Sequence, residues 1–229
     1  MRVEPYAVDS IIHVVKRGAR GAPITRDLKD ERRFNALLFY MNDRFRDEYW
    51  ERSTSDMEPF GRPVWWPERD PLVDVLAWAL MPNHLHLVLK EIREGGIAKF
   101  TQKVFGSMTT HFNAKYDERG SLFQGSYRGR TVDEDEYLRY LAVYVMIKNP
   151  FELYPGGLVQ AVEHFDDAYE RAAASPLCSL SSYAHGIDSP ILDKDIMGEL
   201  FEDPVEFKDF ARDCMQNRLE QMKLDFGQV

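Results

Sequence analysis

Trp78-Ala-Leu-Met-Pro-Asn-His-Leu-His-Leu-Val-Leu89 is the stretch on which the fold turns. Alternate side chains of a β-strand share a face, so a strand over 84–90 sends Leu85 and Leu87 into a core and projects His84 and His86 together on the opposite side. Pro82 and Asn83 mark a turn just before the pair, which makes the apolar run 72–80 the other arm of a hairpin. Two imidazoles about 6–7 Å apart along a strand can grip one metal ion. Two histidines on a solvated strand face are the plainer reading of a bare His-x-His.

Outward from the hairpin, the flanking segments complete a sheet. Upstream, Ser10-Ile-Ile-His-Val-Val-Lys-Arg-Gly18 is a β-branched run ended by glycine, a first strand. Phe34, Leu37, Leu38 and Met41 recur at helical spacing among charges and predict an amphipathic helix over 27–49. Pro59, Pro63, Pro67 and Pro71 forbid a helix through 51–71, an excursion whose Trp65 and Trp66 are expected to pack on the core. Downstream, Ile97, Phe100, Val104, Met108 and Phe112 trace one stripe of a second helix running to 116. The glycine-punctuated, aromatic segment 120–132 predicts a fourth strand with a bend. Asp133 is expected to cap a third helix with acids in its first turn, ending before Asn149-Pro150. The order β-α-β-β-α-β is that of a ferredoxin-like antiparallel sheet with both helices on one face, an α+β fold. The extra helix after it carries Tyr137, Tyr140 and Tyr144 on one side, a stripe that core lining alone would explain.

Charge is divided unevenly along the 229 residues. The net charge is −9, yet residues 151–229 hold 6 basic against 16 acidic side chains, −10, which leaves 23 against 22, or +1, for residues 1–150. A domain over 1–150 and an acidic, weakly helical extension over 151–229 that packs on it follow from that division. Within 97–130, Lys99, Lys103, Lys115, Arg119, Arg128 and Arg130 face only Asp117 and Glu118, a local excess able to hold a phosphate backbone. No stretch approaches the roughly 20 apolar residues of a membrane span, and Met1-Arg-Val-Glu-Pro5 lacks the form of a signal peptide, so a cytoplasmic protein is expected. Cys178 and Cys214 have neither disulfide-framework nor zinc-site spacing.

Four segments together carry a family resemblance. His13-Val-Val-Lys-Arg-Gly18, Leu80-Met-Pro-Asn-His-Leu-His-Leu-Val88, Ser121-Leu-Phe-Gln-Gly125 and Asp135-Glu-Tyr-Leu-Arg-Tyr-Leu-Ala-Val-Tyr-Val145 followed by Asn149-Pro150 resemble, in order and spacing, the single-tyrosine HUH transposases, specifically the REP-associated tyrosine transposases. The resemblance implies an enzyme that cuts and rejoins single-stranded DNA beside hairpins with a divalent metal, Mg²⁺ or Mn²⁺, and a tyrosine nucleophile. His84 and His86 would hold the metal and Tyr144 would attack, with Tyr140 as the alternative one turn earlier. Phe123, Tyr127, Arg128 and Arg130, together with Lys99, Lys103, Lys115, Arg119 and Lys148, would contact DNA. The partner is single-stranded DNA with hairpins, and the protein a monomer or homodimer.

One departure from the family pattern stands out. In relatives the tyrosine usually lies four residues before the Asn of Asn-Pro, whereas Tyr144 lies five before Asn149 and Val145 takes the expected place. One residue turns a helical side chain by about 100°, so Tyr144 is misplaced unless the helix is locally rewound. Asn149 is a candidate third ligand, water an alternative, and Lys148, which has no lone pair while protonated, would hold a DNA phosphate instead. Gln124 and His111 are read as structural. Two other functions fit less of the chain: a domesticated, catalytically weak protein that binds hairpin nucleic acid and regulates, or an unrelated metal-dependent hydrolase whose tyrosines are core.

Overall fold

The computed structural model describes residues 6–226, with side chains to 218. Four strands, β1 (Ile11–Arg17), β2 (Asp74–Met81), β3 (His84–Lys90) and β4 (Arg128–Val132), form one sheet in the order β2-β3-β1-β4. That is the antiparallel ferredoxin-like order, and the α+β fold expected from the sequence is the one observed. Helices α1 (Leu28–Tyr40) and α3 (Gly96–Tyr116) provide the two crossovers and pack on each other, with a single turn, α2 (Trp50–Ser53), inside the proline-rich excursion. After β4 come α4 (Asp135–Val143), a π-helical turn (Tyr144–Lys148) and α5 (Asn149–Phe151). The remainder is helical: α6 (Gly157–Glu163), α7 (Phe165–Ala174), α8 (Leu180–Ala184), α9 (Asp195–Leu200) and α10 (Pro204–Phe226). The chain divides into two compact units, Met1–Val75 with Pro82–Thr131, and Leu76–Met81 with Val132–Val229.

In the first unit the strand period does what the sequence pattern demands. Register pairs Val15 with His86 and Arg17 with His84, so His13, Val15, Arg17, His84, His86 and Val88 lie on one face of the β1–β3 ribbon. Ile12, Val14, Leu85, Leu87 and Leu89, all inaccessible to solvent, lie on the other. Lys16 belongs to this buried face, with its ammonium 5.4 Å and 5.5 Å from the ring centres of Phe105 and Phe123, which shows α3 covering that side. The residue after β1 has to be glycine because a Cβ on Gly18 would stand 2.1 Å from the Ala22 carbonyl oxygen.

Helix α1 starts where expected, with the Asp27 carboxylate accepting from the Lys29 and Asp30 amides, but it stops at Tyr40 rather than 49. The cause is a competing set of side-chain bonds. Asn42 Oδ1 accepts from the amides of Leu72 (2.9 Å) and Val73 (3.1 Å) while its Nδ2 donates to the Val73 carbonyl (2.9 Å), so the buried carboxamide pairs with the chain entering β2 as another strand would. Of the two tryptophans in the excursion, Trp66 packs near Tyr40 and Phe45, as expected, but Trp65 is 72 % exposed.

The second unit departs further from expectation. Asp133 makes no cap; Glu134 takes the N-cap position without a side-chain bond, and Asp135 and Glu136 supply the acids of the first turn. The helical path does not end before Asn149-Pro150 but runs through it: Lys148 and Asn149 keep helical dihedrals, and Pro150, whose fixed φ suits a helix, stands at the start of α5. Residues 157–174, inside the extension expected to be only weakly helical, form α6 and α7. The Ser-Ser-Tyr segment is helix α8, which fastens to the outer strand: Tyr183 Oη donates to the Leu76 carbonyl at 2.7 Å, and the Ser179 amide donates to the Trp78 carbonyl at 3.0 Å.

Candidate metal centre and tyrosine helix

His84 and His86 point the same way, with ring centres 5.0 Å apart and planes at 80°. A metal about 2.1 Å from an imidazole nitrogen lies about 3.3 Å from that ring's centre, so two cis ligands should have centres roughly 4.6–5.3 Å apart. The pair meets that requirement. Its nitrogens are also sorted. Asn83 Nδ2 reaches the Gly21 carbonyl, which leaves Asn83 Oδ1 as acceptor for His84 Nδ1–H at 2.7 Å and gives His84 Nε2 the lone pair a metal needs. His86, 3 % exposed, has its Nδ1 2.9 Å from His13 Nε2, and those two rings lie edge to edge with centres 5.1 Å apart and planes at 19°. Burial, followed by the charge of Arg130, pushes the His13 imidazolium down to a pKa of about 4.

His13 belongs to β1, and its diagonal placement across β1 and β3, two residues out of register with His86, is what brings the rings together. Among the described residues no group of three or more His, Cys, Asp or Glu side chains could hold a metal ion. The two imidazole nitrogens on this face are donors of the kind that transition-metal ions take more readily than Mg²⁺ does.

Two motifs of the resemblance prove to hold each other at the end of β1. The Gln124 amide donates to the Arg17 carbonyl (2.9 Å) and the Ala19 amide to the Leu122 carbonyl (2.9 Å), while Lys16 Nζ donates to the Gly125 carbonyl. Ser121-Leu-Phe-Gln-Gly125 thus fixes the strand that carries His13 and Arg17. Ladder pairing in β4 starts only at Arg128; before it the extended segment meets the end of β1 through these bonds and an isolated bridge between Gly18 and Phe123.

Several residues expected at a DNA surface have protein partners instead. Phe123 is 3 % exposed and packs on Phe105, so its ring offers no open face to a base. Lys103 Nζ donates to the Asp43 carbonyl at 2.5 Å, and burial lowers its pKa. Lys115 Nζ lies 2.6 Å from Asp27 Oδ1 and 2.7 Å from Asp30 Oδ1. His111, as expected, is structural, with Nε2 3.2 Å from Asp30 Oδ1. Lys99, Arg119, Arg128 and Arg130 are exposed, and Tyr127 is half-buried.

In the second unit the helix is rewound where the sequence required it. Residues 144–148 form a π turn, and the Asn149 amide bonds to the Tyr144 carbonyl, a five-residue step in place of the usual four. The extra residue of the Tyr144–Asn149 spacing is absorbed within that turn, and Asn149 returns to the side of the helix that a four-residue α spacing would give it. Lys148 Nζ lies 5.0 Å from the centre of the Tyr144 ring and 2.7 Å from Glu152 Oε1. Asn149 is wholly buried, and among the described residues neither its Oδ1 nor its Nδ2 has a hydrogen-bond partner. An orphaned buried carboxamide costs about 1–3 kcal/mol per unmet group, a cost that marks a place where a ligand or water belongs. Tyr140 is 48 % exposed with its ring 5.4 Å from that of Phe210.

Residues 68–148 match the model of a family described as Transposase IS200 like. The similarity is to the IS200-like transposases. The matched segment contains His84, His86, Tyr144 and Lys148 and stops one residue before Asn149. Among solved structures, that of a REP-associated tyrosine transposase bound to a REP hairpin is similar to this chain at 12 % identity, with a TM-score of 0.41, covering 86 % of this chain and 92 % of the other. No curated protein matches the sequence. Among the described residues no helix is long and apolar enough to cross a membrane.

Proposed function

We propose that the protein is a DNA strand transferase of the IS200-like type, which cuts and rejoins single-stranded DNA beside hairpins through a 5′-phosphotyrosine on Tyr144. The observation that carries this reading is the π turn. A chain with a dispensable tyrosine has no need to rewind its helix over the one residue by which Tyr144 and Asn149 are out of step, and such turns cluster at functional sites.

His84 Nε2 and His86 Nε2 would hold the metal. A divalent ion there supplies Lewis acidity to the scissile phosphate and offsets charge on the departing oxygen. Tyr144 Oη attacks phosphorus and gives up its proton, the bond from phosphorus to the 3′ oxygen breaks, and the leaving oxygen takes a proton to become a free 3′-OH. The phosphate stays on Tyr144 at the 5′ side of the break, and its phosphodiester retains the free energy for rejoining. Arg128, Arg130, Arg119 and Lys99 would neutralise backbone phosphates, and Tyr127 would stack on an unpaired base.

Strand cleavage of a labelled hairpin with single-stranded flanks tests the reading. Cleavage should be supported at least as well by Mn²⁺ as by Mg²⁺, because imidazole suits the former better, and His84→Ala with His86→Ala should abolish it. Cleavage undiminished in the double variant would remove the metal site. Hairpin binding without any cleavage in the parent would instead support a regulator.

A further inference from the structure

The two candidate ligands are not held alike. Behind His84 stands an amide oxygen, which can only accept, so the His84 tautomer is settled by Asn83. Behind His86 stands His13, an imidazole that can either donate or accept at the 2.9 Å contact. If His13 Nε2 carried the hydrogen, His86 Nδ1 would accept it, and the His86 hydrogen would sit on Nε2, where it blocks a metal. If His13 Nε2 is the acceptor, His86 Nδ1–H is fixed and Nε2 carries the lone pair that a metal needs. The near-coplanar, edge-to-edge arrangement, with centres 5.1 Å apart and planes at 19°, is the one a bond along a ring N–H requires.

We propose that His13 is a positioning residue for the metal centre: by accepting from His86 Nδ1–H it holds His86 in the tautomer and orientation in which Nε2 can bind the ion. Nothing in the matched family segment covers it, since residues 68–148 begin far downstream of β1. The inference rests on the proposed metal site. It adds that the site reaches back to the first strand, whose end is in turn held by the 121–125 segment through the Arg17 and Lys16 bonds. Metal-bound histidines commonly donate their second N–H to such a partner, and losing that partner typically costs 10–100-fold in affinity.

Two variants separate the hydrogen bond from mere packing. His13→Phe keeps a ring beside His86 but has no acceptor; His13→Gln places an amide oxygen near the position of the imidazole Nε2. With folding checked by circular dichroism, Mn²⁺ affinity measured by titration calorimetry should fall about 10–100-fold in His13→Phe and stay within a few-fold of the parent in His13→Gln. Independently of any metal, two-bond ¹H–¹⁵N spectra of the metal-free parent should show His86 as the Nδ1–H tautomer, reverting in His13→Phe to the Nε2–H form that isolated imidazole favours. An Nε2–H His86 in the parent, equal Mn²⁺ affinity in parent and His13→Phe, or equal weakening in both variants overturns the assignment. The Nδ1–H tautomer in a parent that takes up no Mn²⁺ overturns the metal reading and leaves the hydrogen-bond assignment standing.

Discussion

The histidine hairpin and the tyrosine helix carry their residues by opposite means. In the hairpin, spacing is rigid: a strand has period two, so His84 and His86 share a face only because one residue separates them, and a slip of one would exchange the core face for the histidine face. In the helix, spacing is elastic. Tyr144 and Asn149 are one residue out of step with an α turn, and a π turn takes up the difference without breaking the path into α5. A site built on strands is therefore readable from residue spacing, whereas one built on a helix has to be read from its backbone.

Deleting one residue from each region is the harshest way to break this contrast. Removal of Leu85 inverts the rest of β3 and should leave no cooperatively folded protein in thermal unfolding. Removal of Val145 lets 144–149 close as an ordinary α turn; it loses one buried side chain, a cost of about 1–3 kcal/mol, and should still yield a folded protein that forms a DNA adduct. Equal tolerance of the two deletions would erase the distinction.

Next in size is the clamp that holds the two helices behind the hairpin. Burial works against ionisation of Asp30, yet bonds from Lys115, the Arg26 amide, Tyr116 and His111 hold its carboxyl down at a pKa of about 2. A depressed carboxylate contributes its stability in full above the unfolded value of about 3.9 and loses it as pH falls toward 2. Asp30→Asn should accordingly destabilise by about 2–3 kcal/mol at pH 7, less than stripping a whole buried ion pair because the amide keeps some bonds. The difference from the parent, measured by urea unfolding, should shrink between pH 4 and about pH 2. A difference that stays constant over that window would contradict the assigned charge.

The smallest effect belongs to the exposed strand. Arg128→Ala with Arg130→Ala removes two phosphate contacts, so the slope of log affinity against log salt for single-stranded hairpin flanks should become shallower by about 1.4. An unchanged slope would place the DNA elsewhere, and equal affinity for plain duplex would count against single-strand recognition.

Legibility in the sequence follows the same division. Strand β3 was placed to the residue because alternation, a turn and a core face all agree there, and α3 ran as its apolar stripe predicts. Helix α1 was read too long because the bonds of Asn42 to residues 72 and 73 depend on chain distant in sequence. Helices α6 and α7 were missed since their buried faces are mostly small, Ala161, Ala168, Ala172 and Ala173 among acids, a weak signal beside Phe165 and Tyr169. Of the site, the histidine pair was legible and the spacing anomaly visible. The partner ring of His13 was not, because a diagonal cross-strand contact leaves no local pattern, and neither was the loss of Phe123, Lys103 and Lys115 to internal partners.

Whether the rewound helix carries the nucleophile is decided by one denaturing gel. Protein incubated with end-labelled hairpin DNA and Mn²⁺ should retain label covalently in the parent and in Tyr140→Phe, whose ring packs beside Phe210, and should retain none in Tyr144→Phe, which removes one oxygen and little packing. An adduct that persists in Tyr144→Phe, or that disappears only in Tyr140→Phe, would contradict the account.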